Sequence, residues 1–204
     1  MGGGASMQFC MVPYNLLNKK ASYLDTGTWA SNAIKEAKLF GEVDVVASSK
    51  DKNYTYIPKG YAIADDSDYF HFTSNNTIYG TEMRKDPDVK QRLVCDMSSD
   101  IFSRPIDISK YDIIYAGAQK NMGIAGLGVA IIREDLLQDV AQTTPVLLDY
   151  KLMIKNDSMY NTPPAYAIYV LGLVLEWIDS LGGLEVMKER NEKKAAILYN
   201  FLDN

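Results

Sequence analysis

Histidine and cysteine are scarce in this sequence of 204 residues, which has one histidine and two cysteines. A protein zinc site is built from about four His, Cys or carboxylate ligands, and a histidine-based triad needs a histidine placed for catalysis. No metal site is therefore predicted, and His71 is expected to have a structural role. Cys10 and Cys95 both lie in apolar stretches, so we expect two buried, reduced core residues.

An excess of basic residues and a long apolar run are also lacking. The chain has 21 Lys and Arg against 26 Asp and Glu, a formal net charge of −5, whereas nucleic-acid binders usually present a basic face. The N-terminus does not follow the signal-peptide pattern. The longest uncharged apolar helix candidate, 165–175, is shorter than the roughly 20 residues that span a membrane. We expect a cytoplasmic protein without a nucleic-acid or membrane partner.

What is present is an alternation of strand-like and helix-like segments, with 47% hydrophobic and 23% charged residues. Alternating segments of this kind predict an α/β domain with a largely parallel sheet. Strands are predicted at 43–47, 69–73, 93–96, 113–115 and 128–132, after a short strand and turn at 23–27. Helices are predicted at 7–12 with Ser6 as N-cap, at 30–37, from 163–164 to Ser180, and after Gly182 to the end.

The stretch 115–121, Tyr-Ala-Gly-Ala-Gln-Lys-Asn, places Lys120 in a loop of small residues directly after a strand. Gly117, between Ala116 and Ala118, would let a flat and bulky group approach the backbone. Loss of hydration would lower the pKa of the amine and make it a nucleophile towards a carbonyl. Taken alone, the stretch favours the commoner interpretation, a solvated loop lysine.

Two further polar residues, Thr77 and Asp96, follow candidate strands. Ligands of such sheets bind outside the carboxyl ends of the strands, so both residues and Lys120 would converge there. Pyridoxal 5′-phosphate needs this set: Lys120 for its aldehyde, Asp96 for its pyridine nitrogen and Thr77 for its 3′-oxygen. Each residue also has a simpler interpretation, because Asp96 suits a cap and Thr77 suits a turn.

The remaining needs of that cofactor are a phosphate site and an aromatic partner for its ring. Backbone N–H groups at Ala5 and Ser6, at the start of a predicted helix, suit a phosphate dianion. Trp29 suits one face of the ring, although a tryptophan is more often part of a core. The joint order of these residues favours the cofactor site.

The sequence resembles the phosphoserine aminotransferase family, a group of class-V aminotransferases, along essentially its whole length. The segments that carry the resemblance are 3–9, 12–17, 25–29, 73–80, 96–99, 103–107, 115–121 and 158–164. The resemblance implies a dimeric, fold-type I enzyme that uses pyridoxal phosphate. It implies amino-group exchange between glutamate and 3-phosphohydroxypyruvate, giving O-phosphoserine and 2-oxoglutarate, in serine biosynthesis and in many bacteria also in vitamin B6 synthesis.

The same resemblance implies a role for each of the site residues. Lys120 would form the Schiff base and shuttle the proton, Asp96 would pair with the pyridinium, Trp29 would stack on the ring and Thr77 would bond the 3′-oxygen. Arg104 is more simply explained as a structural ion pair than as a substrate ligand.

The phosphate contacts follow in the same way. Ala5, Ser6 and Gln119 would hold the phosphate of the chain's own cofactor. Asn161 and Thr162 would reach the phosphate of the partner subunit's cofactor, so a complete site would need two chains.

The family's chains are much longer than this one. Residues 1–204 are therefore expected to be the cofactor-binding large domain, a mostly parallel mixed sheet flanked by helices, without the family's N-terminal segment and small C-terminal domain. The resemblance implies that basic residues in those parts grip the substrate, so we expect binding of pyridoxal phosphate and weak transamination. Two alternatives stay open. One is another fold-type I enzyme, such as a different aminotransferase or a cysteine desulfurase. A desulfurase needs a mobile catalytic cysteine, and neither cysteine lies in a polar loop. The other is a non-enzymatic dimerisation or cofactor-holding module.

Overall fold

The computed structural model describes residues 1–139 and 145–203. Short 3-10 helices occur at Lys50–Lys52, Ile108–Lys110, Glu134–Asp139 and Val146–Leu148. The strands are β1 Lys20–Asp25, β2 Glu42–Ser48, β3 Tyr69–Thr73, β4 Asn75–Asn76, β5 Thr81–Glu82, β6 Arg92–Asp96, β7 Ile113–Gly117 and β8 Gly128–Ile132. The α-helices are α1 Gly4–Leu16, α2 Thr28–Ala37, α3 Tyr150–Lys155, α4 Ala165–Ser180 and α5 Gly183–Leu202.

A six-stranded sheet in the order β2-β1-β3-β6-β7-β8 forms the centre of the fold. Five strands run parallel, and β8 pairs antiparallel with β7. The predicted mostly parallel, mixed sheet is confirmed. Thr73, Asp96 and Tyr115 lie side by side in three neighbouring strands, which aligns the ends of β3 and β6 at one edge.

Both faces of the sheet are covered, as expected for parallel strands. Alternate residues of a strand point to opposite faces, and the core divides accordingly: Val94 packs in one hydrophobic cluster and Cys95 in the other. The cluster with Val94 also takes in side chains of α1 and α2. The helix predicted from Ala30, Ala33, Ile34 and Ala37 is confirmed, since all four are buried in α2.

Two predictions in the N-terminal region are wrong. Helix α1 begins at Gly4 with Gly3 as its N-cap, at φ +91°, so Ser6 lies inside the first turn instead of capping it. Of the two cysteines, only Cys95 is buried, and Cys10 is partly exposed. The Cys10 Sγ donates a hydrogen bond to a Glu36 carboxylate oxygen at 3.5 Å, because α1 and α2 pack side by side there.

His71 is buried in the middle of β3. Its Nε2 lies 2.8 Å from the Tyr115 hydroxyl, and its ring stacks on Tyr23 with 4.7 Å between centroids. Burial lowers the pKa of His71 to about 3, so the ring is neutral at physiological pH. These contacts agree with the structural role predicted for it.

Helices α4 and α5 leave much apolar surface exposed. In α4 only Ala167 and Ile178 are buried, while six large hydrophobic side chains are exposed: Tyr166, Ile168, Tyr169, Leu173, Leu175 and Trp177. Among the described residues no single helix is long and apolar enough to cross a membrane. Helices α4 and α5 pass that test only as a pair, with a bend of 84° between them.

Candidate active site

A cavity of about 320 Å³ opens at the edge of the sheet where β3 and β6 end. Its lining comes from the ends of these strands, the turn after β7, and the first turns of α1 and α2. The lining residues are Gly3, Gly4, Ala5, Ser6, Phe9, Trp29, Thr73, Asn75, Asp96, Ser98, Ser99, Gln119, Lys120, Ala125 and Gly126. The cavity therefore lies where ligands of open α/β sheets bind.

The N-terminus of α1 forms one wall of this cavity. Its first-turn N–H groups have no partner within the helix and carry its positive partial charge. Gly128, at the start of β8, lets the first turn of α1 pack closely against this strand, because a Cβ on Gly128 would lie 2.8 Å from the Gly4 carbonyl oxygen. The wall that contains Ala5 and Ser6 is thus suited to an anion.

Lys120 lies in the turn after β7, and its Nζ donates a hydrogen bond to the Thr77 hydroxyl. Lys120 is an exposed residue, but the protein around its amine removes part of the hydration and so lowers its pKa below the ordinary value, while the negative charge of Asp96 acts in the opposite direction. A lowered pKa increases the fraction of unprotonated amine, which is the nucleophilic form. Thr77 itself is exposed and lies outside the lining.

Asp96 ends β6 and is buried, with 3% of its surface exposed. One carboxylate oxygen accepts hydrogen bonds from the Ser98 backbone N–H at 2.9 Å and the Ser98 hydroxyl at 2.6 Å. Burial raises the pKa of Asp96, and the Ser98 bonds and the charge of Lys120 oppose that rise. A cationic nitrogen beside Asp96 would favour its ionised form.

The structure gives a different explanation from the predicted one for the small residues at and around Gly117. A Cβ on Gly117 would lie 2.5 Å from the side-chain oxygen of Gln119, so the space over this glycine is taken by Gln119. Ala116 and Ala118 are fully buried in the core. The prediction that these residues leave room for a flat group against the backbone is therefore wrong.

The structure brings most of the predicted site residues together. Those that line the cavity are Ala5, Ser6, Trp29, Asp96, Gln119 and Lys120. Thr77 joins them through its bond to Lys120. Asn161 and Thr162 are exposed between α3 and α4 and lie outside the lining. Arg104 forms the predicted ion pair, with Asp100 at 3.8 Å and Glu82 at 3.9 Å.

Sequence reasoning missed several lining residues, of which Thr73 is the most informative. It is 3% exposed, and its hydroxyl oxygen finds no hydrogen-bond partner among the described residues. A buried polar atom without a partner is rare, because it costs free energy. The signal in the sequence is its position at the end of the strand predicted at 69–73, because ligands of such sheets bind outside the carboxyl ends of the strands.

These residues fit pyridoxal phosphate. The cavity offers an amine, a buried carboxylate, an anion-suited helix N-terminus, a tryptophan with 37% of its surface exposed and a buried hydroxyl that no residue in 1–139 or 145–203 bonds. Its volume is in the usual range for small-molecule pockets, about 300 to 1,000 Å³. Among the residues that the structure describes, no group of three or more His, Cys, Asp or Glu side chains is arranged to hold a metal ion.

The sequence profile of the class-V aminotransferases matches residues 2–204. The chain belongs to the class-V aminotransferase family. A curated relative named phosphoserine aminotransferase, from Parabacteroides distasonis, is 76% identical over 203 residues, covering 100% of this chain and 57% of the relative. A second of that name, from Porphyromonas gingivalis, is 56% identical over 209 residues, covering 100% of this chain and 58% of the relative.

Solved structures of this aminotransferase family share the fold. Phosphoserine aminotransferase from Bacillus circulans subsp. alkalophilus superposes with a TM-score of 0.97 at 46% identity, over 100% of this chain and 58% of its own. The Trichomonas vaginalis enzyme, solved with pyridoxal phosphate bound, gives 0.94 at 40% identity, over 100% and 59%. The chain thus spans less than two thirds of the length of these relatives.

Proposed function

We propose that the whole protein transfers an amino group between glutamate and 3-phosphohydroxypyruvate, giving O-phosphoserine and 2-oxoglutarate. Residues 1–204 would supply the cofactor-binding large domain of that enzyme. The observation that carries the proposal is that Lys120, Asp96 and the α1 N-terminus line one cavity. Bound there, pyridoxal phosphate supplies a carbonyl for an amine and a sink for electrons.

Each residue has a task that follows from its surroundings. Lys120, with its lowered pKa, would offer the amine that holds the cofactor and would serve as the group that carries a proton. Asp96 would hold a proton on the ring nitrogen through its ionised carboxylate. Thr77 would bond the ring's oxygen. Trp29 would cover a ring face and exclude water from the reacting atoms.

The phosphate would be held by backbone N–H groups at Ala5 and Ser6 and by the Gln119 side chain. We place this chemistry in serine biosynthesis, and in pyridoxine biosynthesis where the organism uses it. A reducing cytoplasm suits the two free thiols, Cys10 and Cys95, because thiols stay reduced there.

The test is cofactor binding and amino transfer by the 204-residue chain. We expect added pyridoxal phosphate to produce the absorbance band of a lysine-linked cofactor. We expect amino transfer from O-phosphoserine to 2-oxoglutarate to stay far below that of the Parabacteroides distasonis protein assayed in parallel. No band would contradict the proposed cofactor site. Turnover equal to the control would show that 1–204 holds the whole machinery, and would contradict the assignment of substrate-gripping residues to other parts.

We propose further that the protein is a homodimer with shared sites, in which Asn161 and Thr162 contact the phosphate in the partner's cavity. Their exposure, away from the chain's own cavity, supports this arrangement. So does the apolar surface of α4, which begins three residues after Thr162. Exposed apolar surface of this kind is typical of a protein interface.

Sedimentation equilibrium tests the dimer. We expect the chain to be dimeric, and we expect the double substitution of Tyr166 and Tyr169 by lysine to shift it towards monomer, since it would place charges within an apolar interface. Glu189→Lys, on the polar surface of α5, is the control and should leave the association unchanged. A chain that stays monomeric at high concentration would contradict sharing of Asn161 and Thr162.

A further inference from the structure

Two turns at the cavity are tied together by four polar side chains, Thr26, Thr28, Asn76 and Tyr79, which we name the clasp. The Thr26 hydroxyl donates a hydrogen bond to the Asn76 side-chain oxygen at 3.1 Å. The hydroxyls of Thr28 and Tyr79 lie 3.0 Å apart. Thr26 and Asn76 are almost completely buried, so water cannot easily replace the bond between them.

The two turns are also in direct van der Waals contact. A Cβ on Gly27 would lie 3.0 Å from the Asn76 side-chain oxygen and 3.1 Å from a Tyr79 ring carbon. The Asn76 turn is closed on itself as well, because the Asn76 carbonyl accepts from the backbone N–H of Tyr79 at 3.1 Å and of Gly80 at 2.8 Å. Neither turn can shift without moving the other.

Each side of the clasp is adjacent in sequence to a residue of the candidate site. Trp29 directly follows Thr28, in the first turn of α2. Thr77 directly follows Asn76, and its hydroxyl accepts a hydrogen bond from Lys120. The clasp therefore fixes the chain next to an aromatic ring on one side and next to the lysine's partner on the other.

We propose that the clasp positions Trp29 and Thr77 relative to each other, and that Tyr79 and Thr28 are positioning residues within it. The positioning itself involves only side chains of this chain. Its consequence for the binding of pyridoxal phosphate rests on the proposed function. Because the ring would lie against Trp29 while Thr77 bonds its oxygen, a shift of either turn would weaken both contacts at once.

The neighbouring Tyr54 provides a matched control. Its ring lies 4.9 Å from that of Tyr79, but its hydroxyl bonds elsewhere, with the Ser31 hydroxyl at 3.0 Å and an Asp25 carboxylate oxygen at 3.3 Å. Tyr54→Phe and Tyr79→Phe each delete one hydroxyl from the same pair of rings. Only the second deletion removes a hydrogen bond of the clasp, the one between Thr28 and Tyr79.

The first measurement uses the chain without cofactor. The sequence has two tryptophans, so Trp177→Phe, at an exposed position of α4, leaves Trp29 as the sole tryptophan, which is excited selectively at wavelengths that tyrosine does not absorb. In this background we expect Tyr79→Phe to lower the fluorescence anisotropy of Trp29 and to increase its quenching by acrylamide. Tyr54→Phe should change neither. If Tyr79→Phe leaves Trp29 unchanged, or if both variants behave alike, the positioning role is overturned.

The second measurement is a titration with pyridoxal phosphate. Loss of one neutral hydrogen bond predicts affinity about fivefold weaker in Tyr79→Phe, with Tyr54→Phe unchanged. Thr28→Val deletes the same bond from the other side and should reproduce the effect if Tyr79→Phe folds poorly. Thr28→Ser keeps the hydroxyl and should bind pyridoxal phosphate as the unaltered chain does.

The two measurements together separate the clasp from the proposed cofactor site. A mobile Trp29 in Tyr79→Phe, with no binding of pyridoxal phosphate by any chain, would support the clasp and refute the proposed cofactor site. A mobile Trp29 with unaltered binding would overturn the clasp's role towards the cofactor.

Discussion

Lys120→Ala is expected to abolish the covalent link between the chain and pyridoxal phosphate and to slow amino transfer by the whole protein by roughly 10²- to 10⁴-fold. In the proposed function, Lys120 would supply both the amine that attacks the carbonyl and the group that moves the proton, and the substitution removes both. The effect is large because both tasks fall on one side chain, which is held at the cavity by its bond to Thr77. Borohydride reduction followed by peptide mapping locates the link in the unaltered chain.

The control is Lys110→Ala. Lys110 is half exposed and pairs with Asp86 at 3.3 Å, so it represents the surface lysines that aldehydes modify indiscriminately. We expect the reduced adduct on the peptide with Lys120 in this control and in the unaltered chain, and its loss in Lys120→Ala. An adduct of equal yield in Lys120→Ala would refute the assignment of Lys120.

Asp96→Asn is expected to weaken cofactor affinity by about ten- to a hundredfold while stabilising the cofactor-free chain. The loss arises because an amide cannot offer the ring nitrogen a charged acceptor. The cofactor-free chain gains stability because burial raises the pKa of Asp96 above 3.8, and the substitution removes this ionisable group. A raised pKa in the folded state means that stability is fully present below pH 3.8 and is lost as the pH rises through the folded-state pKa. At neutral pH the unaltered chain carries that cost, and the asparagine variant does not.

Urea unfolding between pH 4 and pH 7, together with cofactor titration, measures both effects. Asp107→Asn is a matched control, because Asp107 accepts the same pair of bonds, from the Ser109 N–H at 3.1 Å and its hydroxyl at 2.6 Å, but at the surface. Those bonds lower the pKa of Asp107, so its substitution should not stabilise the chain or alter cofactor affinity. Equal cofactor binding by Asp96→Asn and the unaltered chain would contradict the role of Asp96.

Most of the fold could be predicted from local patterns. The strands at 69–73 and 128–132 have the predicted bounds, because apolar β-branched and aromatic residues in short runs favour buried strands. The end of α4 at Ser180 was also predicted, since Gly182 follows. The antiparallel direction of β8 lay outside what such patterns convey, because strand direction depends on how distant segments pair.

The errors share one physical cause. The cap of α1, the exposure of Cys10 and the use of the space over Gly117 are each decided by the three-dimensional arrangement of side chains around them. Gly3 caps the helix at a positive φ, Glu36 reaches Cys10 from another helix, and Gln119 turns back over Gly117. These arrangements cannot be predicted from residue type and spacing alone.

For the site, the sequence alone determined which chemical groups are available: an amine in a turn, a carboxylate after a strand and glycines at a helix start. Only the tertiary structure decided that Lys120 and Asp96 line one cavity, that the Thr73 hydroxyl is buried there with no partner in the described part of the chain, and that the clasp joins two turns about 50 residues apart. The reason is that burial and hydrogen bonding depend on contacts between segments that are distant along the chain, and the sheet brings those segments together at one edge.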